Sequence, residues 1–227
     1  MSLAGEISVC RRCPRLVDWR EQVARERRAA FSEQEYWGRP LPGFGDPLAR
    51  VLALGLAPAA HGANRTGRVF TGDRSGDFLF AALWRAGFAN QPLSCARNDG
   101  LTLTDMWITA AVRCVPPANR PTPFERDTCL PWSTRELGLL GNVRVLLCLG
   151  AFAWDAALRL IATRANPASP PPSPRPRFGH GAELSVESYW LIGCYHPSQQ
   201  NTFTGRLTEP MIDAVLQRAR ELGEAPT

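Results

Sequence analysis

The residues best equipped for chemistry are gathered in one loop, residues 55–76, reading GLAPAAHGANRTGRVFTGDRSG. It carries a carboxylate (Asp73), an imidazole (His61), a carboxamide (Asn64), two guanidinium groups (Arg65 and Arg68), an aromatic ring (Phe70) and five glycines. A carboxylate can take a proton from water or steady a developing positive charge, and an imidazole can donate a hydrogen bond to a departing oxygen. A second imidazole, His196, opens the polar loop 196–206 (HPSQQNTFTGR), and a carboxamide, Asn119, lies in a third loop, 113–123. Taken alone, a His after a strand is more often a hydrogen-bonded structural residue than a catalyst. Asp73 or Ser75 could equally cap the next helix by accepting from an N–H of its first turn. Convergence of these loops on one sheet edge is what would make them a site.

Cysteine usage points to a second chemistry. There are seven cysteines, and the N-terminus MSLAGEISVCRRCPR has no apolar signal core, so metal or redox chemistry is expected rather than a disulfide framework. Cys10 and Cys13 form a C-x-x-C, whereas Cys114 and Cys129 lie far downstream, each beside prolines. Four thiolates could close one tetrahedral site. A single close pair is less like a zinc ribbon and is compatible with an iron–sulfur cluster, but the spacing does not choose the metal. Cys148 and Cys194 fall inside apolar runs and read as small core residues, and Cys95 lies in a polar loop.

Such loops need a frame that holds them together. Apolar runs at 51–54, 107–112, 143–150 and 188–195 read as four strands. Helical patterns follow at 77–86, 124–140 and 151–163, and a last helix is entered at Thr208 with Pro210 in its first turn. The repeating strand-loop-helix order predicts an α/β domain, in which loops leaving the carboxyl ends of strands carry the ligand site. Residues 15–32 read as a charged helix laid on the core, and 36–46 as an irregular Gly/Pro/aromatic connector. The Pro/Ser-rich stretch 165–177 is expected to be an irregular loop. With 227 residues, 44% of them hydrophobic, one domain over 1–227 is the simplest count.

The chain carries a formal charge of +5 and a pI near 9.0, and it has no lysine, so every cation is an arginine. This mild bias fits an anionic partner and favours bidentate phosphate contacts, although an arginine- and proline-rich composition also follows from a GC-rich genome. No run approaches a membrane span, and a cytoplasmic monomer without membrane contact is expected.

Taken together, GLAPAAHGANRTGRVFTGD, CVPPANRPTP, HPSQQNTFTGRLT and the four cysteines resemble the iron–sulfur uracil-DNA glycosylases, most closely their type 5 branch, over nearly the whole chain. The resemblance implies a three-layer fold with a central four-stranded parallel sheet flanked by helices. It also implies a [4Fe-4S] cluster on Cys10, Cys13, Cys114 and Cys129, and excision of uracil and other deaminated bases flipped out of DNA. Within it, Phe70 would stack on the extruded base, Asp73 would steady the sugar cation and activate water, and His196 would donate to a carbonyl oxygen of the leaving base. Asn119 would position base, water or phosphate. Gly55, Leu56, Ala57, His61, Asn64 and Ala110 are expected around the base. Arg65, Arg68, Ser198, Gln199, Asn201 and Arg206 are expected along the DNA, with Phe203 a further wedge candidate.

Two departures bear on specificity. The related type 4 enzymes carry a Glu where this chain has Leu56, and a base-reading Asn where it has Ala110. Losing that carboxamide removes hydrogen bonds at the uracil edge, so a permissive pocket that also accepts hypoxanthine or xanthine is expected. The cluster is expected to be structural, because glycosidic hydrolysis needs no electron transfer. Two other classes fit the residues: a non-catalytic, metal-containing nucleic-acid binding module, and a hydrolase of free nucleosides or nucleotides. A dinucleotide-binding dehydrogenase does not, since no G-x-G-x-x-G follows 51–54.

Overall fold

The computed structural model describes residues 2–163, 174 and 176–225. Apart from residues 174, 176 and 177, the Pro/Ser-rich stretch therefore lies outside the described residues. The chain opens with helices α1 (Leu3–Ser8) and α2 (Pro14–Glu26), then strands β1 (Phe44–Gly45) and β2 (Val51–Gly55). Helices α3 (Ala63–Thr66) and α4 (Arg74–Arg85) lead to β3 (Met106–Ala110), α5 (Pro123–Leu139), β4 (Val145–Leu149) and α6 (Ala151–Ala162). Strands β5 (Glu183–Val186) and β6 (Tyr189–Cys194), a short α7 (Gln199–Phe203) and α8 (Glu209–Glu224) complete it.

The strand order is β1-β3-β2-β4-β6-β5. Strands β3, β2, β4 and β6 are parallel, whereas β1 and β5 pair antiparallel at the two edges. The expected four-stranded parallel sheet is thus the middle of a six-stranded mixed one. Neither edge is legible as an apolar run. β1 is two residues of the Gly/Pro/aromatic connector, and β5 is a four-residue, half-exposed partner of β6 that turns back through Glu187 at a φ of 55°.

Alternation along the buried strands supplies two cores. Val51 and Ala53 of β2 pack with Leu79 and Leu83 of α4 and Ile212 and Leu216 of α8. Leu52 and Leu54 point the other way, into Leu137 of α5 and Trp154, Ala157 and Ile161 of α6. Period-two side chains on a strand buried on both faces give this outcome directly. A third cluster joins Ile7, Leu16 and Trp132 to Cys13, Cys114 and Cys129. Cys148 and Cys194 are core residues, fully buried, and Cys95 is exposed.

The two largest boundary differences from the sequence expectation are at helix ends. The first charged helix stops at Glu26 rather than near residue 32, because Arg27 takes a φ of 54° and Ala29 and Ala30, both exposed, offer the core nothing to bury. Helix α4 starts at Arg74 rather than Asp77, with Asp73 as its N-cap. Helix α5 is held at its start by a reciprocal capping pair, Thr122 with Glu125. Thr208 occupies the N-cap position of α8 without a side-chain capping bond. In register, Gly55 lies beside Ala110 and Leu149 beside Cys194, so the four parallel strands end at a common edge.

Candidate active site

At that edge Phe70, Asp73 and His196 line one small cavity of about 40 Å³, together with Gly55, Ala57, Ala110 and Ser75. It adjoins a wider one of about 360 Å³, which shares Ala57, Ser75 and His196 and adds Leu56, Asn119, Gly150, Phe152 and Ser198. The loops after β2, β3, β4 and β6 therefore meet here, as the topology of a parallel sheet requires.

Glycines make room for the reactive side chains. A Cβ on Gly55 would lie 2.8 Å from two ring carbons of Phe70, and one on Gly62 would overlap the Asp73 carboxylate. A Cβ on Gly76 would overlap the Phe70 carbonyl. Phe70 itself takes a φ of 54°, sparsely populated for a bulky residue, and its ring centroid lies 5.8 Å from that of His196. From this backbone conformation the ring lines the cavity.

Asp73 has two roles at once. Its Oδ1 accepts from the Gly76 N–H at 3.0 Å, capping α4 while the residue lines the cavity. Burial raises its carboxyl pKa, and backbone N–H groups partly offset that rise. Burial also lowers the His196 pKa to about 4, so the imidazole is neutral near pH 7. The Asn201 amide donates to the His196 carbonyl at 2.8 Å and thereby fixes the imidazole's backbone.

Other residues of the first loop are turned toward the scaffold. Arg65 donates to the carbonyls of His61 (2.7 Å) and Gly72 (2.9 Å) and to Gln34 (2.6 Å). Arg68 is buried, bonded to Thr71, Ser94 and Asp99. The buried Asn64 amide donates to the Arg20 carbonyl, and His61 Nδ1 lies 3.0 Å from the Tyr36 hydroxyl. Neither His61 nor Asn64 lines the two cavities. Asn119, at a φ of 54°, is exposed on the rim of the wider one. Ser198 caps α7, while Gln199, Phe203 and Arg206 are exposed around it. The Arg74 guanidinium sits 5.6 Å from the Phe203 ring centroid.

Sequence reading missed the wall formed by Pro58, Ala59 and Val69 and the β4–α6 corner at Gly150 and Phe152, because neither carries a polar group to mark it. Ser75 was legible only as a helix-capping alternative.

The four singled-out cysteines, Cys10, Cys13, Cys114 and Cys129, line a separate pocket with Arg20, Arg113 and Trp132. Arg20 Nη1 donates to Cys114 Sγ at 3.0 Å, and the Arg113 backbone N–H donates to Cys129 Sγ at 3.5 Å. The Nε groups of Arg20 and Arg113 and Nε1 of Trp132 are buried without a hydrogen-bond partner. Burial pushes the Cys13 thiol up to about 11 and the Cys114 thiol up to about 12, so thiolates here need a strong positive partner. Among the described residues no three His, Cys, Asp or Glu close on a single metal ion. Two N–H donors, the Arg20 guanidinium and the Arg113 backbone, are thus directed at sulfur in this pocket. Behind them Arg113 and Glu136 form a buried ion pair at 2.7 Å, joined by Thr109 and the Gly43 N–H.

The uracil DNA glycosylase superfamily model matches residues 42–220. A Type-5 uracil-DNA glycosylase of Mycobacterium tuberculosis is 56% identical over 218 residues, covering 95% of this chain and 79% of that protein. The Type-5 enzyme of Mycobacterium leprae is 54% identical over 222 residues (97% and 94%). That of Thermus thermophilus is 49% identical over 217 residues (95% and 94%). No helix among the described residues is long and apolar enough to cross a membrane.

Proposed function

The chain belongs to the uracil DNA glycosylase superfamily, and from that premise we propose that it excises uracil from DNA by hydrolysing the N-glycosidic bond, leaving an abasic site. The observation that carries this reading is Phe70, Asp73 and His196 around one cavity at the carboxyl ends of the parallel strands. Inside a duplex the bond is inaccessible, so the nucleotide is extruded, and the Phe70 ring offers the face on which its base stacks. The oxygen of a water attacks C1′ of the sugar while Asp73, made more basic by burial, orients it and takes its proton. The bonding pair leaves with the base. His196, neutral through burial, donates its N–H to a carbonyl oxygen on which negative charge collects.

Ala110 puts a methyl group, with no donor or acceptor, on the wall of this cavity. Its lack of hydrogen-bond discrimination supports a base range that includes hypoxanthine and xanthine. Asn119 serves at the rim, on water or phosphate, and the exposed Gln199, Phe203 and Arg206 fill the space the base vacates. Cys10, Cys13, Cys114 and Cys129 would hold a [4Fe-4S] cluster, supported by the shared pocket and the N–H donors directed at sulfur. Such a cluster would supply a cross-link between the N-terminal helices and the exit of β3, not a reactive centre.

The test uses labelled duplexes carrying one uracil or one hypoxanthine opposite the same base, treated with alkali to cut abasic sites, with Asp73→Ala alongside. Cleavage of both by the parent, falling sharply in the variant, is expected. Uracil cleavage alone removes the broad range but leaves the activity. Duplex binding by a folded, metal-loaded protein without cleavage moves the reading to a non-catalytic nucleic-acid binding module.

A further inference from the structure

Between α2 and residues 35–39 lies an open groove of about 570 Å³, remote in sequence from the cavity residues. Five arginines line it against two glutamates. Two of the arginines are engaged: Arg11 pairs with Glu21, and Arg20 is directed at Cys114. Arg25, Arg27 and Arg39 are exposed and make no salt bridge among the described residues, although Arg25 is near enough to help lower the carboxyl of Glu21, which Arg11 already holds. Arg27 is held by donating to the Ser32 carbonyl at 2.6 Å, and the Arg39 guanidinium lies 5.5 Å from the Trp37 ring centroid. These contacts fix two guanidinium groups without neutralising them.

The groove is built rather than incidental. Gly38 takes a φ of 59°, and a Cβ there would come within 2.8 Å of Ala24 on α2, so the two walls are in close contact at its floor. One wall is also fastened to the active edge. The Trp37 and Gly38 N–H groups donate to the carbonyls of Arg65 and Asn64, and the Leu41 N–H donates to that of Arg113. Those carbonyls belong to α3, within the connection from β2 to α4 that also carries Phe70 and Asp73, and to the loop leaving β3 that carries Cys114.

We infer that this groove is a second DNA contact region, in which Arg25, Arg27 and Arg39 hold the phosphodiester backbone of the strand running away from the extruded nucleotide. It rests on the proposed function, which supplies the DNA. Unpaired guanidinium forks match phosphate oxygens bidentately, and such contacts set register on the duplex without reading sequence. Glu35, exposed in the same groove, opposes the phosphate and limits affinity.

The experiment compares the parent, the Arg25→Gln/Arg39→Gln double variant and Glu35→Gln, on a long and a short duplex carrying the same uracil. Both affinity and single-turnover excision are measured across a salt series. For the long duplex the slope of log affinity against log salt should fall by about 2 in the double variant, since each phosphate contact contributes about 0.9. Affinity at low salt should drop about tenfold or more, with the excision rate at saturating DNA unchanged. The short duplex should be bound alike by both proteins, and Glu35→Gln should tighten the long one. An unchanged slope, an equal loss on both duplexes, or displacement of DNA by inorganic triphosphate at far lower phosphate concentration would overturn the inference. If the parent excises uracil and the slope is unchanged, only the groove fails. If the parent excises nothing, the proposed function fails while the slope still reports on the groove.

Discussion

Gly55 and Phe70 compete for one space: a Cβ on the glycine would sit 2.8 Å from the Cε2 and Cζ atoms of the ring. The position of the Phe70 ring in the cavity is therefore set by an absent side chain on the neighbouring strand. Phe70 has little room to retreat, because its backbone is held at a φ of 54° and its carbonyl is packed against Gly76. Gly55→Ala should displace the ring and lower kcat/KM for uracil excision about 10²-fold, the scale of a 1 Å misplacement. Overpacking should cost about 1–3 kcal/mol of stability, read in a denaturant melt. Unimpaired excision by Gly55→Ala would show that Phe70 does not need this position.

Asp73 caps α4 as well as lining the cavity, and the two roles can be separated. Asn caps a helix about as well as Asp but cannot take a proton from water. Asp73→Asn should thus melt close to the parent while excision falls by about 10²–10⁴-fold. Asp73→Ala should lose both, with about 1 kcal/mol of the stability going with the cap. An Asn variant as active as the parent would remove Asp73 from the chemistry.

The buried imidazole predicts a pH dependence with a definite sign. His196 is held at about 4 against an ordinary 6.5, so between those values the unfolded chain binds more protons than the folded one. Stability present above pH 6.5 is lost as pH falls toward 4. Burial lowers His61 and His180 too, adding with the same sign, and the raised carboxyl of Asp73 acts with the opposite sign. His196→Asn removes one contribution only. Melts at pH 7 and pH 5 should show a smaller loss in the variant, and equal losses would contradict a buried neutral imidazole.

Cys10→Ser should weaken the fold before it weakens the chemistry, since the cysteine pocket and the base cavity share no residue. The expected result is a less soluble protein with reduced iron content and a lower melting temperature. Its surviving folded fraction should excise uracil at close to the parental rate. A stable, iron-free variant of full activity would argue against a structural cluster.

The parallel strands were legible because burial on both faces makes them continuous apolar runs, as in VLALG and VLLCL. Their exit loops could be named for the same reason. The sheet edges were not legible, since Phe44–Gly45 is too short to form a pattern. Within the first loop, residue type could not separate Asp73, which lines the cavity, from Arg65 and Arg68, which bind scaffold atoms such as the Gly72 carbonyl and Asp99. Those partners are backbone groups or residues some thirty positions away, and no local pattern announces them. The resemblance placed Arg65 and Arg68 along the DNA, and the structure has both guanidinium groups engaged by the protein itself.

That engagement has a consequence for how damage is found. With Arg65 lashing His61 to Gly72, and Arg68 anchored in Ser94 and Asp99, the loop that carries Phe70 and Asp73 is braced by the protein's own contacts. A loop braced in this way leaves less ordering free energy for a bound nucleotide to supply. On the proposed function, selection should then rest on the nucleic acid: how readily a given pair opens and lets its base swing out. Weakly paired lesions should be captured first, with the duplex rather than the enzyme setting the pace of search.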